Sequence, residues 1–127
     1  MIRIGRAVLP VTDLAAAIDW YVSCFGFRVL FDQELFPGFR SVHVGPGDMS
    51  DPGVWLFPTD HPHTRQEPAL VLYSTDIDAA AARLGELDTP LVAPITGERG
   101  SRSLQVRDPS GNVLVIAEVD EHTTENR

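Results

Sequence analysis

The sequence predicts an α+β domain of two βαβββ modules whose strands form a cupped mixed β-sheet with the helices on its outer face. Three observations carry that reading: a strand followed by an amphipathic helix opens each half, the two halves repeat at a fixed offset, and a strongly apolar hairpin closes the chain. Thr12-Asp13-Leu14-Ala15-Ala16-Ala17 is echoed 63 residues later by Thr75-Asp76-Ile77-Asp78-Ala79-Ala80. In each half a strand ends in Thr-Asp, a helix follows, and three further strands come after it. Neither module has enough core to stand alone, so the two sheets should combine into one curved surface. Helices on the convex face leave the concave face open, and a small molecule would sit there.

The elements follow in order. Ile2–Val11 alternates loosely and predicts a strand ending near Pro10. Thr12 or Asp13 can cap the helix that follows, in which Leu14, Ala17, Ile18, Tyr21, Val22 and Phe25 make one continuous apolar stripe. Gly26 is its C-terminal stop. Phe27–Leu35 predicts a long strand, turned by Pro37-Gly38 into the next strand, Phe39–Val44. A polar loop then leads to a short apolar strand, Val54–Phe57. Pro58–Glu67 (PTDHPHTRQE) has no periodicity and is the candidate linker or mobile flap over a site.

In the second half Ala69–Ser74 predicts a strand, Thr75-Asp76 a cap, and Ile77, Ala80, Ala81, Leu84 and Leu87 an apolar helical stripe. Pro90–Ile95 is extended. Ser103–Val119 is the closing hairpin: Leu104 and Val106 alternate with polar neighbours, Asp108-Pro109-Ser110-Gly111-Asn112 has turn chemistry throughout, and Val113–Val119 returns. The boundaries predicted are a single domain over 1–119, divided into module one at 1–58, a connector at 59–67 and module two at 68–119. A polar tail occupies 120–127.

Composition narrows the function classes. The chain has 127 residues, a single cysteine and a net charge of −8, and all ten basic residues are arginine. Its length suffices for a core without disulfides. An acidic chain with scattered arginines argues against nucleic acid, because phosphate binding needs clustered basic residues. No segment is apolar enough for a signal peptide or a membrane span, so the expected location is cytoplasmic. There is no phosphate loop and no G-x-S-x-G. Cys24, late in the amphipathic helix beside Phe25, reads as buried packing and not as a nucleophile.

The strand-V-x-D-L-helix opening (Val11-Thr12-Asp13-Leu14), Trp20-Tyr21, Phe25-Gly26-Phe27 and the D-P-x-G-N hairpin, taken in that order, resemble the glyoxalase / bleomycin-resistance / extradiol-dioxygenase superfamily, the vicinal oxygen chelate fold. The resemblance runs from about Ile2 to Val119 and implies paired βαβββ modules, often in a homodimer. It also implies, for the enzymes of the superfamily, a divalent metal held by His and Glu side chains from four strands. At those four positions this chain has Arg6, Leu56 (or a neighbour), Ala69 and Val115. Arginine stays protonated, and Leu, Ala and Val have no donor atom. A shift of one residue brings Gly5, Ala7, Trp55, Phe57, Pro68, Leu70, Leu114 or Ile116, none of which is a metal ligand. The expectation is therefore the fold without its usual metal chemistry, and no cofactor.

If Arg6 and Val115 face the cup, alternation supplies the rest of its lining. Val8 and Pro10 join Arg6, Val71 and Tyr73 join Ala69, and Val54 and Pro58 flank Leu56. Phe39, Ser41 and His43 come from the third strand and Ser103, Gln105 and Arg107 from the hairpin. The candidate ligand-binding residues are Arg6, Phe39, His43, Leu56, Tyr73, Gln105 and Val115, with Trp55 and Phe57 turned to the helices as core. Each polar member has a structural alternative: Arg6 could snorkel to the rim, His43 could be merely hydrogen-bonded, and Tyr73 could be a half-exposed packing residue. Trp20 lies off the main stripe, at a domain or dimer edge. The His61-Pro62-His63 pair fits no strand pair and reads as exposed loop histidines able at most to bind adventitious metal.

The leading expectation is a metal-free, dimeric protein that binds a small organic ligand with aromatic or apolar surface, such as an antibiotic or secondary metabolite, with no nucleic-acid or membrane partner. The alternative is a lyase, isomerase or dioxygenase working through a displaced metal site or through His43/Arg6 acid–base chemistry. A purely structural dimer is the third reading. A competing fold, a ferredoxin-like α+β dimer, needs only two helices and four strands and leaves the extra hairpin of each half unexplained.

Overall fold

The structure is a computed structural model that describes residues 1–61 and 66–120. The chain divides into two compact units, one formed by residues 1–64 with 108–112 and the other by 65–107 with 113–127. The first contains β1 (Arg6–Val11), α1 (Leu14–Phe25), β2 (Arg28–Phe36), β3 (Phe39–Gly45) and β4 (Gly53–Pro58). Its sheet order is β1-β4-β3-β2, with β1 parallel to β4 and the remaining pairs antiparallel. The second contains β5 (Pro68–Ser74), α2 (Ile77–Glu86), β6 (Leu91–Thr96), β7 (Ser103–Arg107) and β8 (Val113–Glu118). Its order, β5-β8-β7-β6, repeats the first, again with the opening strand parallel to the last. The sequence repeat is thus a structural one: two four-stranded mixed sheets, each with one helix.

Both helices begin where an aspartate side chain takes up a free N–H of the first turn. Asp13 accepts from the Ala16 amide at 3.0 Å and Asp76 from the Ala79 amide at 3.0 Å, the bond that an N-cap residue supplies. Gly26 ends α1 in the left-handed region (φ 68°), its N–H on the Val22 carbonyl. No glycine follows α2; Asp88 adopts the positive φ (53°) there, and Thr89 N–H returns to the Leu84 carbonyl.

Each sheet has one buried face. In the first unit Leu9, Val11, Val42, Val44, Val54 and Leu56 are at most 3% exposed, as are Ala17 and Tyr21 of α1. Cys24 joins them, buried as its place on the helix predicts. In the second unit Leu104, Val106, Leu114 and Ile116 are buried with Ile77 and Leu84 of α2. β1 starts at Arg6 and not at Ile2. Its ladder begins where Arg6 meets Gly53, the first residue of β4, and Ile2 and Ile4 before it are 99% and 83% exposed.

The Asp108–Asn112 turn is more than a connection. Gly111 takes φ 91°, as its place in the turn requires. The Asp108 carboxylate, in a residue only 4% exposed, accepts four hydrogen bonds: Ser110 N–H and Asn112 N–H at 2.9 Å on Oδ1, Tyr21 O–H at 2.7 Å and the Asn112 amide at 2.8 Å on Oδ2. The Asn112 amide also donates to the Pro10 carbonyl, and Ser110 Oγ accepts from Thr12 N–H. A buried carboxylate is tolerable only with such partners. The turn is thereby tied to the end of β1 and the middle of α1.

Candidate ligand-binding face

The side of the first sheet away from the aliphatic core carries the chemistry. β1 presents Arg6, Val8 and Pro10 there, and parallel pairing sets Trp55 beside Val8 and Phe57 beside Pro10. β3 adds Phe39, Ser41 and His43, and β2 adds Phe31 opposite His43. The rings touch in sequence across three strands. Phe31 lies 4.9 Å from His43, His43 5.5 Å from Trp55, Trp55 5.1 Å from Phe57, Phe57 5.6 Å from Phe39, and Phe39 stacks at 4.8 Å on Phe36. Centroid separations of this size are those of favourable aromatic pairs. The end of the row at Phe36 is 59% exposed and Val8 beside Trp55 is 52% exposed. The Trp55 indole nitrogen is buried, with no hydrogen-bond partner among the described residues.

This arrangement corrects one expectation. Trp55 and Phe57 do not turn to the helix. Leu56 does, fully buried and paired across the sheet with Leu9 and Val42. Val54-Trp55-Leu56-Phe57 is apolar at every position, so its period-2 pattern has no visible phase. The buried face is packed with aliphatic side chains of moderate size, and the two large rings take the open side. Leu56 therefore belongs to the core and lies outside the candidate site, while Trp55 and Phe57 enter it.

Arg6 holds the polar end of the face. Its Nε–H donates to His43 Nδ1 at 2.9 Å, one terminal nitrogen donates to the Gly5 and Asp51 carbonyls at 3.0 and 2.7 Å, and the other to the Met49 carbonyl at 2.7 Å and, weakly, to the Met49 thioether. The side chain does not snorkel freely and meets no carboxylate among the described residues; it fastens the β3–β4 loop to β1. Arginine can only donate, so His43 Nδ1 is the bare nitrogen and Nε2 carries the proton. Nε2–H then donates to Ser41 Oγ, 3.3 Å away. Burial first, and the Arg6 charge second, hold the His43 imidazole below its usual range. It stands as a neutral, doubly engaged ring with no free lone pair for proton abstraction.

In the second unit the pairing sets Val71 beside Val115, Tyr73 beside Ala117, and Gln105 opposite Val115. Val71 and Tyr73 are 53% and 61% exposed, whereas Gln105 and Val115 are half-buried. Tyr73, Gln105 and Val115 thus share the open face of their own sheet, and Arg6, Phe39 and His43 share that of theirs. Of the connector, His61 is described, its N–H on Thr59 Oγ1. Residues 62–65 lie outside the described residues, and with them His63 and the middle of the proposed Pro58–Glu67 flap.

The register also permits a test of the metal positions. Val8 pairs with Trp55 as Val71, 63 residues on, pairs with Val115. The first-module counterpart of Val115 is therefore Trp55, whose indole nitrogen is a donor only. With Arg6, Ala69 and Val115 at the other three positions, the set contains no metal-ligating atom. Among the described residues no group of three or more His, Cys, Asp or Glu is placed to hold a metal. The residues do not fit the divalent ion of the enzymes in the resembled superfamily.

Two βαβββ units, each with its opening strand parallel to its last and one open sheet face, define a protein of the paired-module class. The chain belongs to the Glyoxalase/Bleomycin resistance protein/Dioxygenase superfamily, whose family model matches residues 3–116. Among solved structures it is similar to a member of that superfamily from Sphaerobacter thermophilus, with 28% identity, 93% of this chain and 98% of that one covered, and a TM-score of 0.79. It is also similar to TnmS3, an antibiotic binding protein from Streptomyces, with 27% identity, coverage of 94% and 98%, and a TM-score of 0.76. The fosfomycin resistance protein FosX from Listeria monocytogenes shares the fold at 13% identity, with 93% of each chain covered and a TM-score of 0.73. No curated protein matched the sequence.

Proposed function

We propose that the protein is a metal-free binder of a small organic molecule with aromatic surface, an antibiotic-like or secondary metabolite, which it sequesters and does not transform. The observation that carries this reading is the unbroken row Phe31–His43–Trp55–Phe57–Phe39–Phe36, standing where the first sheet turns away from its core. An open face lined by rings with a few fixed polar groups is the usual make-up of a small-molecule site. The similarity to an antibiotic binding protein over nearly the whole chain supports the same reading. Tyr73, Gln105 and Val115 are proposed as ligand contacts on the open face of their own sheet, and a cytoplasmic homodimer as the working form.

The donor-free set at Arg6, Trp55, Ala69 and Val115 supports the metal-free part. The Arg6–His43 bond weighs against acid–base catalysis at His43, because one ring nitrogen is bound by a guanidinium and the other is protonated. The test is to purify the untagged protein, measure its metal content, and titrate a planar aromatic probe while following tryptophan fluorescence, with and without a chelator. Sub-stoichiometric metal and chelator-independent saturation are expected. One tightly held transition metal per chain, or binding abolished by chelation, would overturn the reading.

A further inference from the structure

The polar end of the ring row is held by an arginine, and this bears on the charge of the ligand. Arg6 makes no ion pair among the described residues; its partners are the His43 nitrogen, three backbone carbonyls and a thioether, all uncharged. No neighbouring carboxylate pairs with it directly among the described residues. Arg28 of β2 pairs with Asp48 at 3.5 Å and Arg40 of β3 with Asp32 at 2.8 Å. The Asp51 carboxylate is turned into its own loop, where it accepts from Asp48 N–H at 2.7 Å. His43, neutral, adds no charge, and Phe31, Trp55 and Ser41, which surround it, cannot ionise near neutral pH. The guanidinium, held by uncharged partners alone, is thus the one charged group in hydrogen-bond contact with His43 among the described residues, in a chain whose overall charge is −8.

We propose that this face selects an aromatic ligand bearing a negative charge, a carboxylate or phenolate, over a neutral or cationic one of the same shape. The inference rests on the reading that the ring row seats the ligand. The Arg6 N–H groups are already engaged, so the preference is Coulombic and arises without a new bidentate contact. Over a few ångströms at the edge of the protein such an effect amounts to about tenfold or more in affinity between an anion and a cation.

Three probes on a common naphthyl ring test it: naphthoate, naphthamide and naphthylmethylammonium, titrated calorimetrically against the intact protein. The expected order is naphthoate tightest and the ammonium weakest. Arg6→Met should erase the order, and Arg6→Lys, which keeps the charge but not the fan of hydrogen bonds, should restore it. Because Arg6 also anchors the loop, a second readout does not need the variants. In the wild-type protein the anion/cation ratio should shrink as salt rises from about 0.02 to about 0.5 M. Equal affinities, a cation preference, or a salt-independent ratio would overturn the charge inference and leave the ring-row reading standing. Phe57→Ala should weaken all three probes together. If no probe binds, or Phe57→Ala changes none of them, the ring-row reading itself fails and the charge inference with it.

Discussion

Arg6 and Asp108 show how single residues of this chain take roles that their type alone leaves open. Arg6 spends its donors on the loop and on His43, and so sets the imidazole tautomer. Replacing it by Met removes the like charge beside the ring, so the His43 pKa should rise toward its ordinary value, read by following the ring protons against pH. The sign for stability is fixed by the same shift. The folded protein binds a proton at His43 less readily than the unfolded chain, so His43 makes wild-type stability fall as pH drops below about 6.5. The decline should be shallower in Arg6→Met. At Asp108, Tyr21→Phe keeps the ring packing and removes one of four bonds to a buried carboxylate. A cost of about 1.5–3 kcal/mol in urea unfolding is expected. Burial, and Asp108 after it, push the Tyr21 phenol well above its usual range, so it donates that bond at any ordinary pH. The D-P-S-G-N run was readable as a turn because each residue has turn chemistry. That its aspartate is gripped by Tyr21 was not readable, because the partners are 87 residues apart.

At the scale of elements, their order and the helix starts were legible, the start of β1 was not, and facing was only partly so. The Thr-Asp pairs marked both helix starts because a cap acts within four residues; Asp13→Ala and Asp76→Ala should each cost about 1 kcal/mol by thermal or urea unfolding. The strand β4 was legible as a strand but not in phase, since an all-apolar run gives no alternation to follow. In the second unit, where Leu104 and Val106 alternate with Ser103, Gln105 and Arg107, the faces came out as expected. The β6–β7 loop is held by a cluster with weak sequence signal. Arg102 donates to both oxygens of Glu118 at 3.1 and 2.7 Å and reaches Asp78 at 3.2 Å, while Gly100 N–H donates to Glu118 at 2.7 Å. The Arg102 hydrogen bonds, chiefly, hold the Glu118 carboxyl down to about 2. Its stabilisation is present above the unfolded carboxyl range near 4.5 and is lost as pH falls toward about 2. Glu118→Gln should flatten that part of the acid-unfolding curve.

For the whole molecule, the repeat sets the fold, and the side chains at the four positions bear on what that fold can hold. Membership of the superfamily brings the paired modules, but chemistry resides in side chains placed on a fold and not in the fold. A designed control follows: restoring a single carboxylate by Val115→Glu should not confer metal binding, because Arg6, Trp55 and Ala69 still offer no ligand. Metal analysis and a competitive chelator titration would read it, and stoichiometric metal capture by that variant would contradict the donor argument. The sequence by itself determined the two-module order, the helix starts, the closing turn and the absence of donors at the metal positions. All of these depend on residue identity over short spans or on a repeat visible at one offset. Only the tertiary structure decided that Trp55 and Phe57 face outward with His43, that Leu56 is core, and that the Arg6 donors are taken by a loop more than forty residues away. Such choices depend on which volumes fit together across the sheet and on which carbonyls a distant turn brings within reach, and no local pattern encodes either.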